Sequence, residues 1–551
     1  MIAKFIQIRD DYYRAWFRYH PEVAVDIGVA GHEHLLRPFS DEEQGALLSL
    51  NEKLLDALEE LDDADLGPDE RIDLELMRGG AFLEMEQILD HDWRKNDPEQ
   101  YLPLHAIHQL TQRRTEDFAG ALRQRLEQVP DYLLNARNCV GQDRERIPAR
   151  WLESAITAVE SGVVYLESLG DNDRVGEHRD QLPDLDSLIS GAVDSFQRYG
   201  SFLEVEIGPR ATGEFAVGHK RFSHLLQYRH FLQVTPEALH DFGSRLFDRT
   251  MRELGALCRR LTGGDDIVEL ERRICGSGPG EQPLVPLYQR QMEAARDFVR
   301  SRDLVSFPGP ESLCVEETPV FLRHKIPFAA YEPPGMDDDP QLGRYYVTPA
   351  VDAETRARHS LLSMSHTCVH EAYPGHHLQF TTAHRHSAAR SMARMINKSA
   401  TMYEGWALYC EQLMFESGFL DQSENEFILL RDRLWRALRI VLDVGMQTGG
   451  QGIEDASSMI RERLGFSGVQ ALGEATWYSR APTVPMGYAT GWAMISAARD
   501  IVLGEQSGQS LKSFHDALLA QGSCALPLVL RRAFGDDLLA RVESGLVDPS
   551  S

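Results

Sequence analysis

Basic residues are scarce beside acids in this chain of 551 residues: 57 Lys and Arg stand against 85 Asp and Glu, a formal charge of −28. Nucleic acids and anionic membrane surfaces are bound through clustered Lys and Arg that displace counterions, so neither is an expected partner. Long apolar runs are missing too. No stretch reaches the roughly 18 uninterrupted apolar residues of a membrane helix, and Arg9, Asp10 and Asp11 stand where a cleaved signal would carry its apolar segment. Cysteine is sparse, with seven residues at 139, 258, 275, 314, 368, 410 and 524 and no CxxC pair. Such a set fits reduced thiols, not a disulfide frame or a cysteine metal site, and a cytoplasmic location is expected. Internal repeats and low-complexity tracts are absent as well.

What is present is ordinary globular composition, 42% hydrophobic and 26% charged, with ample material for a core. Up to about residue 260 most segments carry apolar residues at three- and four-residue steps, which predicts helices over Asp41–Leu61, Asp69–Asp90, Arg114–Val129 and Thr235–Leu261. Ser40 followed by Glu43 reads as a capping box, and Thr235-Pro236-Glu237 as an N-cap with proline at the first helical position. Gly263–Pro286, with GGDD and GSGPGEQP, reads as an exposed loop. Between Leu304 and Pro349, β-branched and aromatic runs bounded by Pro and Gly predict two to four short strands joined by an acidic loop, Pro333–Gly343. Helical patterning returns at Glu354 and lasts to about Val542. The expected fold is therefore mainly α: an N-terminal helical half (1–260), a small β-rich segment (304–349) and a C-terminal helical half (354–545).

The chemistry concentrates in Ser365–Gln379, SHTCVHEAYPGHHLQ, where His366, His370, His376 and His377 fall within twelve positions beside Glu371. Imidazole is the commonest protein ligand for zinc, and catalytic zinc takes three protein ligands and leaves a position for water. A His-Glu pair on a helix is how many metallopeptidase sites begin, with the Glu taking a proton from the bound water. The familiar spacing would place a second His at 374, where this chain has Pro374. In an unbroken helix His376 would stand about 240° around and about 9 Å along from His370, too far to share an ion. Pro374-Gly375 offers a break that swings His376 back. His377 would then point elsewhere, toward substrate or behind the ligands. Two other readings stay open: His366 and His370, four apart on one face, as the helical ligand pair, or histidines that pack a kinked helix without metal. His384 and His386 read as surface residues. For a third ligand Glu404, opening the MYEGWALYCEQL helix 34 residues after His370, is the candidate, with Glu411 in reserve.

At these residues the chain resembles a bacterial family known as domain of unknown function 885, whose hallmark is HExxPGHH followed by YxEGWALY. Here these are His370 to His377 and Tyr403 to Tyr409. The likeness extends over nearly the whole chain, through Pro21…Gly28, Gly218…Phe222, Thr235-Pro236-Glu237, Arg439…Asp443-Val444-Gly445 and Glu474…Tyr478…Pro482…Tyr488…Gly491. The resemblance implies one helical zincin-like unit, 1–551, with a deep cleft, comparable to thermostable carboxypeptidases and relatives of angiotensin-converting enzyme. It implies a zinc ion on His370, His376 and Glu404, Glu371 as general base and acid, and Tyr488 as a phenol facing the tetrahedral intermediate. The chain departs from the family at Val484, where Gln is usual, and at Gln447, where His is usual.

The expected activity is hydrolysis of amide or peptide bonds in short peptides by metal-activated water. His377 is a further candidate at the catalytic site, and Arg439 and Arg480 are candidates for holding a substrate carboxylate. The edge of the Val315–Tyr331 strand region is a candidate to lie against an extended peptide. Competing readings are a metal enzyme acting on an amide-containing small metabolite and a non-catalytic helical binding protein.

Overall fold

The computed structural model describes residues 2–275, 278–326, 328–505 and 508–547. The protein is mainly α-helical with one small sheet, and no described helix is long and apolar enough to cross a membrane.

Helix starts follow the sequence signals. Ser40 caps Asp41–Glu59 with a complete capping box, its hydroxyl accepting from the Glu43 N–H while Glu43 returns to the Ser40 N–H. Thr235 caps Pro236–Thr262, and the expected Asp69–Asp90 helix spans Pro68–Leu89. Two expectations need correction. The helix predicted over Arg114–Val129 starts at Phe118, where Asp117 accepts from the Gly120 N–H, and runs on through Pro130 to Val140. The stretch read as a loop, Gly263–Pro286, contains a helix, Ile267–Cys275. Leu270 and Ile274, one turn apart, are buried there, so a short helix forms once a neighbouring surface covers them.

Three strands form the sheet, β1 (Glu311–Glu317), β2 (Ala329–Glu332) and β3 (Gln341–Val347), in the order β1-β3-β2. β1 pairs parallel to β3, with Glu311 opposite Gln341, and β2 pairs antiparallel to β3, with Tyr331 opposite Tyr345. The central strand β3 is buried at five of its seven positions, while β2 is only half-buried at an edge.

Packing does not follow the 1–260 and 354–545 halves. One core joins side chains from Phe5 to Leu546, and a second gathers residues between Phe39 and Ala211 together with Phe321. Within the larger core, helix Pro236–Thr262 lies along Ser423–Thr448, and Ala400–Glu416 lies along Gly487–Glu505. The latter pair touches backbone to backbone: a Cβ on Gly405 would stand 2.6 Å from the Gly491 Cα. That approach brings Glu404 and Tyr488, one and three residues away, to one place.

Candidate metal centre

Helix Leu361–Glu371 stops one residue after His370, and a new helix, His376–Ala383, starts immediately past Pro374-Gly375. Gly375 is fixed by space. A Cβ there would stand 1.9 Å from the His370 carbonyl oxygen, so the chain folds back tightly on the helix it has just left. The Trp406 indole N–H donates to the Pro374 carbonyl at 2.9 Å and pins the bend to the Glu404 helix.

The bend brings His370, His376 and Glu404 together, with one ligand atom from each inside a 4.8 Å span. Glu404 Oε2 stands 3.4 Å from the Nε2 of each histidine. Donors sharing a tetrahedral zinc at its usual bond lengths would be separated by about 3.3 Å. Glu404 Oε2 is buried and lacks a hydrogen-bond partner among the described residues, an expensive arrangement that an ion between the three groups would relieve. The residues present fit a zinc site.

Of the remaining histidines of the motif, His366 stays behind the cluster, its Nδ1 3.6 Å from Glu411 Oε2, too long for a hydrogen bond. Glu411, the reserve ligand, instead accepts from His370 Nδ1 at 2.8 Å. That bond leaves His370 Nε2 directed at Glu404, the tautomer and orientation a metal-binding imidazole requires. Burial opposes charge on His370, yet the carboxylates of Glu404 and Glu411 beside it outweigh that and push its pKa up to about 10. Burial likewise opposes ionisation of Glu404, but His376 and His370 hold it well below the usual glutamate range.

His377 points away. It is wholly buried, with Nε2 2.9 Å from Glu311 Oε2 and Nδ1 3.1 Å from the Tyr331 hydroxyl. Tyr373 and Arg296 also bond Glu311. A ring with both nitrogens engaged and no exposed surface has nothing left for substrate, so the expectation of a catalytic or substrate contact at His377 is replaced by a structural tie between motif and sheet. His384, read as a surface residue, is buried and bonds Gln341 Oε1 at 2.7 Å. His386 is exposed.

Glu371 is half-buried and forms no hydrogen bond or ion pair among the described residues. Burial raises its pKa against the pull of His376 and His370, the condition of a carboxylate suited to take up a proton. Arg436, which sequence reading passed over, lies close enough to oppose that rise. Its Nε is buried without a hydrogen-bond partner among the described residues.

Tyr488 stacks near His370, ring centroids 6.2 Å apart at 15°. Burial first, and Glu404 second, raise its phenol well above the usual value, so it stays a proton donor. Arg439 lies 4.6 Å from the Tyr488 ring and also contacts Trp435 and Trp477. The assignment of Arg439 to a substrate carboxylate is corrected, because its guanidinium already holds Glu474 at 2.9 Å and the Tyr478 hydroxyl at 3.1 Å. Arg480 is also committed, to Asp97 at 3.2 Å, Glu99 at 2.9 Å and the Trp151 carbonyl. The turn leading to Tyr488 hangs on buried Asp443, which accepts from the Thr483 and Met486 N–H groups at 3.2 and 3.1 Å. Thr483 has φ +67, a costly conformation for a β-branched residue; His230 holds its hydroxyl at 2.9 Å.

The two departures from the family pattern divide. Gln447 is buried, donates to the Tyr478 and Ser479 carbonyls and accepts from the Val217 N–H, so it is a structural clamp. Val484 lines a cavity of about 440 Å³ together with Tyr403, the neighbour of Glu404.

Residues 21–533 match the family model described as "Bacterial protein of unknown function (DUF885)". The chain belongs to that family. Among solved structures it is similar to one from Colwellia psychrerythraea, provisionally named a lipoprotein, with TM-score 0.80 and 18% identity over 98% of this chain and 99% of that one. A second, from Shewanella oneidensis and provisionally named a lipoprotein of unknown function, has TM-score 0.76 and 18% identity over 95% and 98%. A weaker likeness, TM-score 0.44 at 12% identity over 99% of each chain, is to the M32 carboxypeptidase of Deinococcus radiodurans R1. No curated protein matches the sequence.

Proposed function

We propose that this member of the family is a zinc-dependent hydrolase of amide or peptide bonds in short peptides. The observation that carries the reading is the buried Glu404 Oε2, without a hydrogen-bond partner among the described residues and facing two imidazole nitrogens at 3.4 Å, beside a Glu371 that likewise has no hydrogen bond or ion pair among them. His370, His376 and Glu404 would hold the ion. Bound there, zinc supplies Lewis acidity and lowers the pKa of a coordinated water to about 7.

The chain's own groups complete the chemistry. Glu371, raised by burial and unpaired, accepts the proton of the attacking water and returns it to the leaving amine. Tyr488, kept protonated and propped by Arg439, donates to the oxygen on which negative charge develops. Glu411 fixes the orientation of His370. The edge strand β2 runs past the same place, Tyr331 stacking 6.3 Å from His376, and is suited to hold an extended backbone.

The test is cleavage of a short-peptide library by protein purified without chelator. Chelation should abolish turnover and zinc should restore it. Glu371→Gln should retain zinc and lose about 10²- to 10⁴-fold in kcat. Full activity in that variant would remove Glu371 from the mechanism, and absence of metal in the purified protein would remove the hydrolase reading.

A further inference from the structure

The cavity that Val484 and Tyr403 line has charged walls, and its charges do not balance. Its acids are taken: Glu84 accepts from Asn51 and Trp16 and pairs with His20, and Asp92 pairs with Arg94. Among its cations, Arg221 is bound to Glu86 and Arg37 lies 4.4 Å from the Trp93 ring. Two are left over. Arg229 and Lys398 are half-buried in the cavity wall, and neither has a carboxylate within ion-pair distance among the described residues. Asp26, whose charge reaches Lys398, is already bonded to His105 at 2.9 Å and Gln109 at 2.8 Å.

Both cations are one aromatic side chain removed from His376. Lys398 Nζ lies 4.9 Å from the Phe380 ring, and that ring lies 6.1 Å from His376. Arg229 is close enough to Tyr403 to influence its ionisation, and Tyr403 stands 6.2 Å from the His376 ring. Desolvation lowers the pKa of both, Lys398 to about 8. A partly desolvated cation without a counter-ion is costly, and a bound anion would relieve that cost.

We infer that Arg229 and Lys398 form a carboxylate-binding subsite, occupied by a free carboxylate of the substrate while its scissile bond lies at the His370, His376 and Glu404 centre. The inference rests on the proposed hydrolase for the second half of that statement and on the cavity alone for the first. The carboxylate has two sources, the C-terminus of a short peptide or an acidic side chain. In either case a neutral ligand leaves both cations unpaired, and charge-assisted hydrogen bonds are the strong ones.

Binding separates these outcomes without turnover. Glu371→Gln protein loaded with zinc is titrated calorimetrically with N-benzoyl-Gly-Phe, its C-terminal amide, and N-benzoyl-Glu-Phe amide. A free acid that binds at least about tenfold tighter than its amide supports the subsite with the C-terminus as source. A glutamyl amide that gains a similar factor over the neutral amide supports it with the side chain as source. Equal binding of all three overturns it. The preference should collapse in Lys398→Met and Arg229→Met and persist in Lys398→Arg; a preference unchanged in both methionine variants also overturns it. Carboxylate-selective binding by a protein that cleaves no peptide would leave the subsite standing and remove the hydrolase, whereas equal cleavage of free and amidated peptides with equal binding would do the reverse.

Discussion

His376 turns into a pocket where Glu404 Oε2 and its own Nδ1 are buried without hydrogen-bond partners among the described residues, whereas His377, the next residue, turns into a network where both ring nitrogens are bonded and Glu311 is shared with Tyr373 and Arg296. The two residues have the same chemistry, the same helix and nearly the same burial. They differ in polar satisfaction. A closed set of hydrogen bonds stabilises a fold, whereas converging groups without partners favour a ligand, since unsatisfied buried groups cost about 1–3 kcal/mol each.

Exchanging each histidine for alanine should split the two regions cleanly. In His376→Ala, zinc affinity should fall by more than the roughly 100-fold upper figure for outer ligand supports, with the apo protein melting close to wild-type apo protein. Metal analysis after dialysis and a thermal scan check both halves. Glu411→Gln comes next: it keeps the ligands but loosens His370, and should cost about 10- to 100-fold in zinc affinity by competition with a chromogenic chelator. His377→Ala should leave zinc stoichiometry intact and destabilise the protein by about 1.5–3 kcal/mol in chemical denaturation. Zinc lost in proportion to stability would merge the two regions into one.

The smallest effect is in acid. Burial opposes ionisation of Glu311, but His377 and Tyr373 hold its pKa down at about 2 against an ordinary 4.5. Above 4.5 the residue is ionised in both the folded and the unfolded chain. As pH falls from 4.5 toward 2, the unfolded chain takes up the proton first, so stability is lost across that window. Glu311→Gln should be less stable at neutral pH and show a shallower fall over it, read from denaturation midpoints at successive pH values.

Much of this was legible in the residues. Ser40 and Thr235 act locally, through bonds to N–H groups three residues away, and their helices begin where the signals stand. The break at Pro374-Gly375 was also local, following from a missing amide and a glycine. Other features were not. Helix Ile267–Cys275 is short, lies between the Gly-Gly and GSGPGEQP stretches that read as loop, and depends on what covers Leu270 and Ile274. Arg439 and Arg480 looked available because a sequence does not display Glu474, Asp97 or Glu99 beside them. Arg229 and Lys398 drew no notice for the opposite reason, since an unpaired cation looks like any other.

The order of residues along the chain thus set which groups occur at helical spacing, where the motif helix must bend, and that the fold is mainly α, because those follow from interactions a few residues long. Which histidine faces Glu404, which glutamate stands behind His370, and which arginines are already engaged depend on segments far apart in the chain. Those assignments required the Gly405–Gly491 contact, the β1-β3-β2 sheet and the cavity wall, where burial and distance decide whether a charge is satisfied or left open.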